Sequence, residues 1–366
     1  MSGNYQSSQT KIKHPGEKIK SLLEEQGMSQ KELALRTGVS DKHISTVLSG
    51  EKGISVSFAR KLAVVFEKDY RYWTKLQAEY ENHLLNIEEE NNIKPEEKEL
   101  LKPLKEIFGY LVKEEMLHND CSDAEKVLQL RKFLCVTDLT AALKITYNAA
   151  YRAQLKSNSA VDVSVLFVWQ RLCEKITEKI RVADKLNTEL LYSKIGDIKL
   201  LMSSDDPDYF CKQLEDIFAE CGIAFGVVRH FKGAPVQGFI KKTENGRNIL
   251  CLTIRNGRAD SFWFTLFHEI GHLVHGDLSM RFVDFSSIKG EIEDEADKFA
   301  QDAIIASQLF DSFVNKRDYS DLTEIQNFAK KAGVPVFMVI GRLQKLGLLD
   351  WSAHSGLIPK FKWVEE

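Results

Sequence analysis

Two histidines four residues apart, with a glutamate beside the first, carry the strongest chemical signal in this 366-residue chain: His268-Glu269-Ile270-Gly271-His272. On a helix that spacing puts both imidazoles on one face, aimed at one point. Zinc takes neutral nitrogen ligands at about 2.0–2.1 Å, so the pair offers two of its donors. Glu269 lies next to them, within reach of a water in the open position. Zinc lowers the pKa of such a water from ~15.7 to ~7, and Glu269 can take its proton as it attacks a peptide carbonyl. Around the motif, Phe262, Leu266, Phe267, Ile270, Leu273 and Val274 supply a buried helix face. Two polar rings in such a helix need partners, and a metal answers that need.

A third ligand has to come from another element. Downstream, Glu291-Ile292-Glu293-Asp294-Glu295-Ala296-Asp297 opens an acidic helix. Glu293 and Asp297 share a face, so Glu293 can bind zinc while Asp297 holds a ligand histidine by its other ring nitrogen. Glu295, on another face, is the second candidate. Acids also collect at helix N-termini to oppose the macrodipole, but that does not account for acids this dense beside a two-histidine helix. His275 is read as lying behind the ligands or on the surface, because a fourth protein ligand would close the position water needs. His230 and Arg255 fall on predicted strands and could stabilise an oxyanion; nothing in their spacing selects either over ordinary surface placement.

A second kind of chemistry is written at the front. Residues 16–48 read as three short helices. Ile19, Leu22 and Leu23 stripe the first, which Gly27 closes. Ser29-Gln30-Lys31-Glu32 forms a capping box, so the second helix starts at Gln30 and buries Leu33, Ala34 and Val39. Gly38 makes the tight turn to a third helix capped by Ser40, with Ile44, Val47 and Leu48 inside. Its outer face carries Asp41, Lys42, His43, Ser45 and Thr46, small and polar as a helix lying in a major groove requires. Gln30, at a helix N-terminus, can offer side chain and backbone N–H to a phosphate. A plain three-helix bundle with a polar face is the blander reading of the same spacing.

Composition sets the frame. Hydrophobic content of 43% and charged content of 28% suit globular domains, and the length allows two or three. No stretch approaches the roughly 20 apolar residues that span a bilayer, and the polar start lacks a secretory signal. Six cysteines without a C-x-x-C pair argue for a reducing compartment, so a cytoplasmic location is expected. Residues 11–75 hold 13 Lys/Arg against 8 Asp/Glu, a local +5 in a chain of net −3. A basic front on an acidic body suits a module that meets phosphates.

The expected architecture is mainly α with a small β-sheet in the last domain. It comprises a disordered tail at 1–13, an all-α helix-turn-helix domain at 14–88, a helical middle domain at 89–205 and a peptidase domain at 206–366. Period-two segments at 223–229, 236–241 and 249–254 read as strands, the last two joined by a turn at Asn245-Gly246. Helices follow at about 261–274 and 288–306. Near the end, Ala329-x-x-x-Gly333-Val334 echoes Ala34-x-x-x-Gly38-Val39, with Val339 matching Ile44, so 322–347 reads as a second helix-turn-helix-shaped unit. Where the first copy offers Asp41-Lys42-His43, this one offers Val336-Phe337-Met338, which cannot read base edges and should pack against the peptidase or grip a protein.

The segment 14–85 resembles the HigA-type antitoxin branch of the lambda-repressor-like helix-turn-helix family. The carrying motifs are His14-Pro15-Gly16-Glu17, Ser29-Gln30-Lys31-Glu32-Leu33-Ala34, Gly38-Val39-Ser40, Leu48-Ser49-Gly50 and Phe58-Ala59-Arg60-Lys61-Leu62-Ala63. The resemblance implies a double-stranded DNA operator, Gln30 on phosphates, Asp41, Lys42, Ser45 and Thr46 near bases, and a homodimer on a palindrome. Asp41 departs from the pattern, since phosphate repels it unless a cytosine amino group donates to it.

The segment 222–306 resembles the ImmA/IrrE family of zinc metallopeptidases, on Phe262-Trp263-Phe264-Thr265-Leu266-Phe267-His268-Glu269-Ile270-Gly271-His272-Leu273-Val274-His275-Gly276 and Glu293-Asp294-Glu295-Ala296-Asp297-Lys298-Phe299-Ala300. It implies a gluzincin-like domain, zinc on His268, His272 and Glu293, Glu269 as general base, and a protein substrate such as a repressor. Asp297 stands where the family often has Asn, and Ala306 where a proline is usual. Together the motifs suggest a DNA-binding regulator whose zinc endopeptidase cleaves a repressor or itself. The alternatives are a non-enzymatic antitoxin or transcription factor that holds a cognate toxin and has a structural or silent zinc site, and a peptidase whose front module captures protein substrates.

Overall fold

The computed structural model describes residues 12–119, 121–142, 161–243, 245–255, 257–276, 291–316 and 319–363. Most of the expected tail, residues 1–11, lies outside the described residues, as do 288–290 at the expected start of the acidic helix. The chain forms two compact units, residues 1–101 with 118–131, and 102–117 with 132–366. The stretch 89–205, expected as a middle domain, is shared between them. Mainly α secondary structure with one small sheet matches the expectation.

The first unit opens with α1 (Pro15–Glu25), α2 (Gln30–Thr37), α3 (Asp41–Leu48), α4 (Val56–Val65) and α5 (Tyr70–Asn91). Side-chain caps start all five, Asp69 capping α5 by accepting from Arg71 N–H at 2.8 Å. His14 Nδ1 accepts from Gly16 N–H at 3.0 Å, and Ser29, Ser40 and Ser55 each accept at 3.2 Å from the N–H three residues on. At the expected capping box only the serine half forms, because the Glu32 carboxylate takes Arg36 at 2.6 Å instead of reaching back. Gly38, at φ +62°, ends α2 in the left-handed conformation that a side chain resists. Ile19, Leu33, Ile44, Val47, Leu62 and Trp73 are buried together, which fixes α3 against its neighbours and leaves its other face outward. Short α6 (Pro95–Glu99) completes this unit's N-terminal stretch, and a fully buried Glu97 receives Arg131 at 2.5 Å.

The chain continues through α7 (Leu101–Lys113), α8 (Asp123–Leu134), α9 (Leu139–Ala142), α10 (Val163–Thr177), α11 (Thr188–Ser193), α12 (Ile195–Leu201) and α13 (Pro207–Glu220). Then come β1 (Ile223–Val227), β2 (Gly238–Lys242) and β3 (Asn248–Leu252), within about two residues of the expected strands. Sheet order is β1-β3-β2: β1 runs parallel to β3, and β2 antiparallel through the turn where Gly246 takes φ +79°. Every residue of β3 is buried, which only a strand covered on both faces allows. Registered neighbours Phe225, Leu250 and Ile240 share one face and pack against α14 (Ala259–His275) and Phe218 of α13. On the other face, Phe239 meets Trp169 of α10, and Gly226 leaves room for Thr177.

Beyond α14 lie α15 (Glu291–Ile304), α16 (Ser307–Val314), α17 (Leu322–Ala332) and α18 (Val336–Lys345). Arg342 of α18 donates to the Ile305 carbonyl at 2.9 Å and stacks over Phe310 at 4.0 Å, tying down the C-terminal end of α15. The echo is exact in backbone terms. Gly333 (φ +67°) and Gly38 (φ +62°) each donate to the two corresponding carbonyls, and Val334 and Val39 each donate to the alanine carbonyl at 3.1 Å. The side chains decide the use: Phe337, Met338, Val339 and Ile340 are buried in the core of the second unit. Of the two roles expected for this copy, the structure realises packing.

Candidate metal centre and nucleic-acid interface

α14 is apolar nearly all round, and that character places the histidine motif inside the protein rather than on it. His268, Glu269 and His272 are 5%, 2% and 1% exposed. One turn apart, the two rings meet edge to face, with Nε2 to Nε2 at 3.0 Å. α15 packs along the same side of α14, and Gly271 lets it come close. A Cβ there would sit 3.2 Å from Ala296 Cα and 3.1 Å from Phe299 Cδ1. This approach brings Glu293 Oε2 to 3.2 Å from His268 Nε2 and 3.9 Å from His272 Nε2.

Asp297 Oδ1 lies 2.8 Å from His268 Nδ1, which turns that ring's Nε2 toward the other two donors. Glu295 faces the exposed His275 at 3.7 Å instead, so the acids of α15 divide between the buried cluster and the surface. His268, His272 and Glu293 each present a ligand atom within 4.8 Å of the others, and all three are buried. Two imidazole nitrogens and one carboxylate oxygen form a donor set that suits Zn²⁺ and leaves a tetrahedral ion one further position. The residues present therefore fit the metal.

Glu269 is positioned from the sheet side. A Cβ on Gly238, the first residue of β2, would fall 1.9 Å from Glu269 Oε1 and 2.5 Å from its Cδ. The glutamate thus lies against bare backbone, a requirement the sequence reading missed. Its signal was available, since a glycine inside a predicted strand marks a close approach. His230 lies past β1 and is half-buried; burial first, and the charge of Arg255 second, hold its imidazole below the ordinary range. Arg255 sits exposed in the turn after β3.

In the first unit, Gln30, Asp41, Lys42 and Ser45 line one open concavity with Ser29 and Lys31. Lys31 was not singled out from sequence, although its place in the first turn of α2 beside Gln30 pointed to it. His43 and Thr46 are half-buried: the His43 ring stands edge-on to Phe58 at 5.1 Å, and the Thr46 hydroxyl donates to the His43 carbonyl at 2.9 Å. The Ser40 hydroxyl is taken by the α3 cap. Among the expected DNA-facing residues, the structure gathers Gln30, Asp41, Lys42 and Ser45, and engages Ser40, His43 and Thr46 locally. Among the described residues, no helix is long and apolar enough to cross a membrane.

Comparison with known proteins supports both modules. Residues 19–73 match the helix-turn-helix family model, and residues 228–344 match that of the IrrE N-terminal-like domain, a peptidase family. The chain is 38% identical over 69 residues to virulence-associated protein A' of Dichelobacter nodosus, a stretch covering 19% of this chain and 60% of that relative. Similar solved structures include Pseudomonas aeruginosa antitoxin HigA with higBA promoter, at 28% identity over 23% of this chain and 98% of that one, with a TM-score of 0.22. An addiction module antidote protein of a HigA family from Coxiella burnetii shows 25% identity over 23% of this chain and 97% of its own, with a TM-score of 0.21. The chain therefore joins a segment that matches a helix-turn-helix family model to one that matches the IrrE N-terminal-like model.

Proposed function

We propose that this chain is a DNA-bound regulator whose second unit is a zinc endopeptidase cutting a protein partner, either a repressor or a copy of itself. The observation that carries the reading is the buried set His268, His272 and Glu293, with ligand atoms within 4.8 Å of one another and Glu269 beside them. When bound, zinc supplies Lewis-acid activation of water and of the scissile carbonyl.

The protein's own groups do the rest. His268 and His272 hold their rings on one helical face, and Asp297 fixes the His268 tautomer by accepting from its Nδ1–H. Glu293 brings a negative charge that balances a dication in a buried place. Glu269, held against Gly238, accepts the proton of the attacking water and returns it to the leaving amine. In the first unit, Gln30 and Lys31 serve phosphates, while Lys42, Ser45 and Asp41 face base edges; the resemblance to HigA-type antitoxins adds a homodimer on a palindromic operator to this reading.

Glu269→Gln tests the peptidase reading directly. Cleavage of candidate repressors, followed by mass spectrometry, should fall at least about 100-fold. Metal analysis should still find about one zinc per chain, because glutamine removes the base and leaves the donors. Cleavage undiminished in this variant, or no zinc in wild type, would sink the reading.

A further inference from the structure

A small open cleft of about 10 Å³, room for about one water, lies beside the first half of α14, lined in part by Gln237, Thr253, Arg255, Ser261 and Thr265. Two of its lining residues stand next to the surroundings of Glu269. Thr265 stands one turn before Glu269 on the same helix, and Gln237 immediately precedes Gly238, against which the Glu269 carboxylate lies. A peptide laid across Glu269 therefore has this cleft as a neighbour.

Its two arginines are in different electrostatic states. Arg258 is neutralised: Nε and Nη2 donate to the two oxygens of Asp260 at 2.9 and 2.8 Å, and Nη2 also reaches Gln344 at 2.7 Å. Arg255 donates only to a carbonyl, that of Pro235 at 3.0 Å, and no carboxylate pairs with it among the described residues. Its charge is felt nearby, since it opposes protonation of His230. Glu106, the acid that also acts on His230, is engaged by Arg229 at 3.3 Å. Ser261, Thr265 and Gln237 add neutral polar groups to the walls, and among the described residues no carboxylate lines the cleft. One uncompensated guanidinium in a polar cleft favours a planar anion that can take two parallel N–H donors.

We infer that this cleft is a specificity subsite for a carboxylate of the peptide substrate, anchored by Arg255. The inference rests on the peptidase reading and adds a substrate class to it. An acidic side chain near the scissile bond and the α-carboxylate of a chain end present the same pair of oxygens, so the test separates them.

The full-length Glu269→Gln protein, loaded with zinc, is titrated into three fluorescein-labelled peptides and followed by anisotropy. One carries an internal glutamate and an amidated end, one is neutral with a free C-terminus, and one is neutral and amidated. At least one of the first two should bind about tenfold tighter than the third, and which one identifies the source. Adding Arg255→Glu should erase that advantage, while Arg255→Lys should keep part of it. Equal binding of the three peptides, or a preference that survives Arg255→Glu, overturns the subsite. A preference that vanishes in Arg255→Glu while the wild-type protein cuts none of the peptides or repressors upholds the subsite and sinks the peptidase reading.

Discussion

Single residues in this chain do work that their type alone does not announce. His14 is a helix cap: its Nδ1 accepts from Gly16 N–H at 3.0 Å, beside the Tyr80 ring. Protonation would turn that acceptor into a donor facing another donor. Burial holds the His14 imidazole below its ordinary value of about 6.5. A base depressed in the folded state contributes stability above the unfolded value, and that stability is lost as pH falls through the folded one. The first unit should therefore melt at lower temperature at pH 5 than at pH 7.5, and His14→Asn, which caps without titrating, should flatten that dependence. A pH profile identical in both proteins would show that the cap does not titrate. From sequence, His14 was legible only as part of a family motif, because no spacing rule reveals which ring nitrogen meets which amide. His268 and His272 were legible outright, since a helix alone brings residues four apart together.

Elements set how much of the site could be anticipated. The pairing of α14 with an acidic helix was expected from the need of two histidines for a third donor, and Glu293 with Asp297 from sharing a face of that helix. The approach of β2 to Glu269 did not, because sheet order β1-β3-β2 depends on contacts between distant segments that no local pattern encodes. Gly238 is where that topology becomes chemistry. In Gly238→Ala the new methyl would overlap the Glu269 carboxylate, with 1.9 Å to Oε1. The side chain must swing away from its working position. Cleavage should drop about 100-fold while zinc content and the melting temperature change little, a split that circular dichroism and metal analysis can read. The helix pair α17–α18 teaches the complementary lesson. Its glycine turn was readable from Ala329-x-x-x-Gly333, and burial of Phe337 and Met338 then settled which of two uses the copy serves.

At the scale of the whole molecule, charge is partitioned as chemistry is. Residues 11–75 carry 13 basic against 8 acidic side chains, a balance of +5 in a chain of net −3, so the remainder carries −8. The front's net positive charge favours contact with a phosphate backbone, and counterion release would make such contact steeply salt-dependent. Lys31, on the concavity beside Gln30, should lower the slope of log affinity against log salt by about one when replaced by alanine, whatever operator is used. The same substitution should leave proteolysis untouched. A slope unchanged by Lys31→Ala would remove that lysine from the phosphate contacts. Domain boundaries were less legible than motifs, because the helical stretch 89–205 contributes to both compact units and carries no punctuation that says so.

The buried donors lie on two separate helices, His268 and His272 on α14 and Glu293 on α15. An ion gripped by all three is therefore a clasp across a tertiary contact, and its affinity is borrowed from the same free energy that keeps the helices together. Raising free zinc should lift the unfolding temperature of the second unit in proportion to the logarithm of its concentration, and a chelator should reverse the gain. Metal supply would then govern how long this half of the molecule survives unfolding, as well as whether it can react.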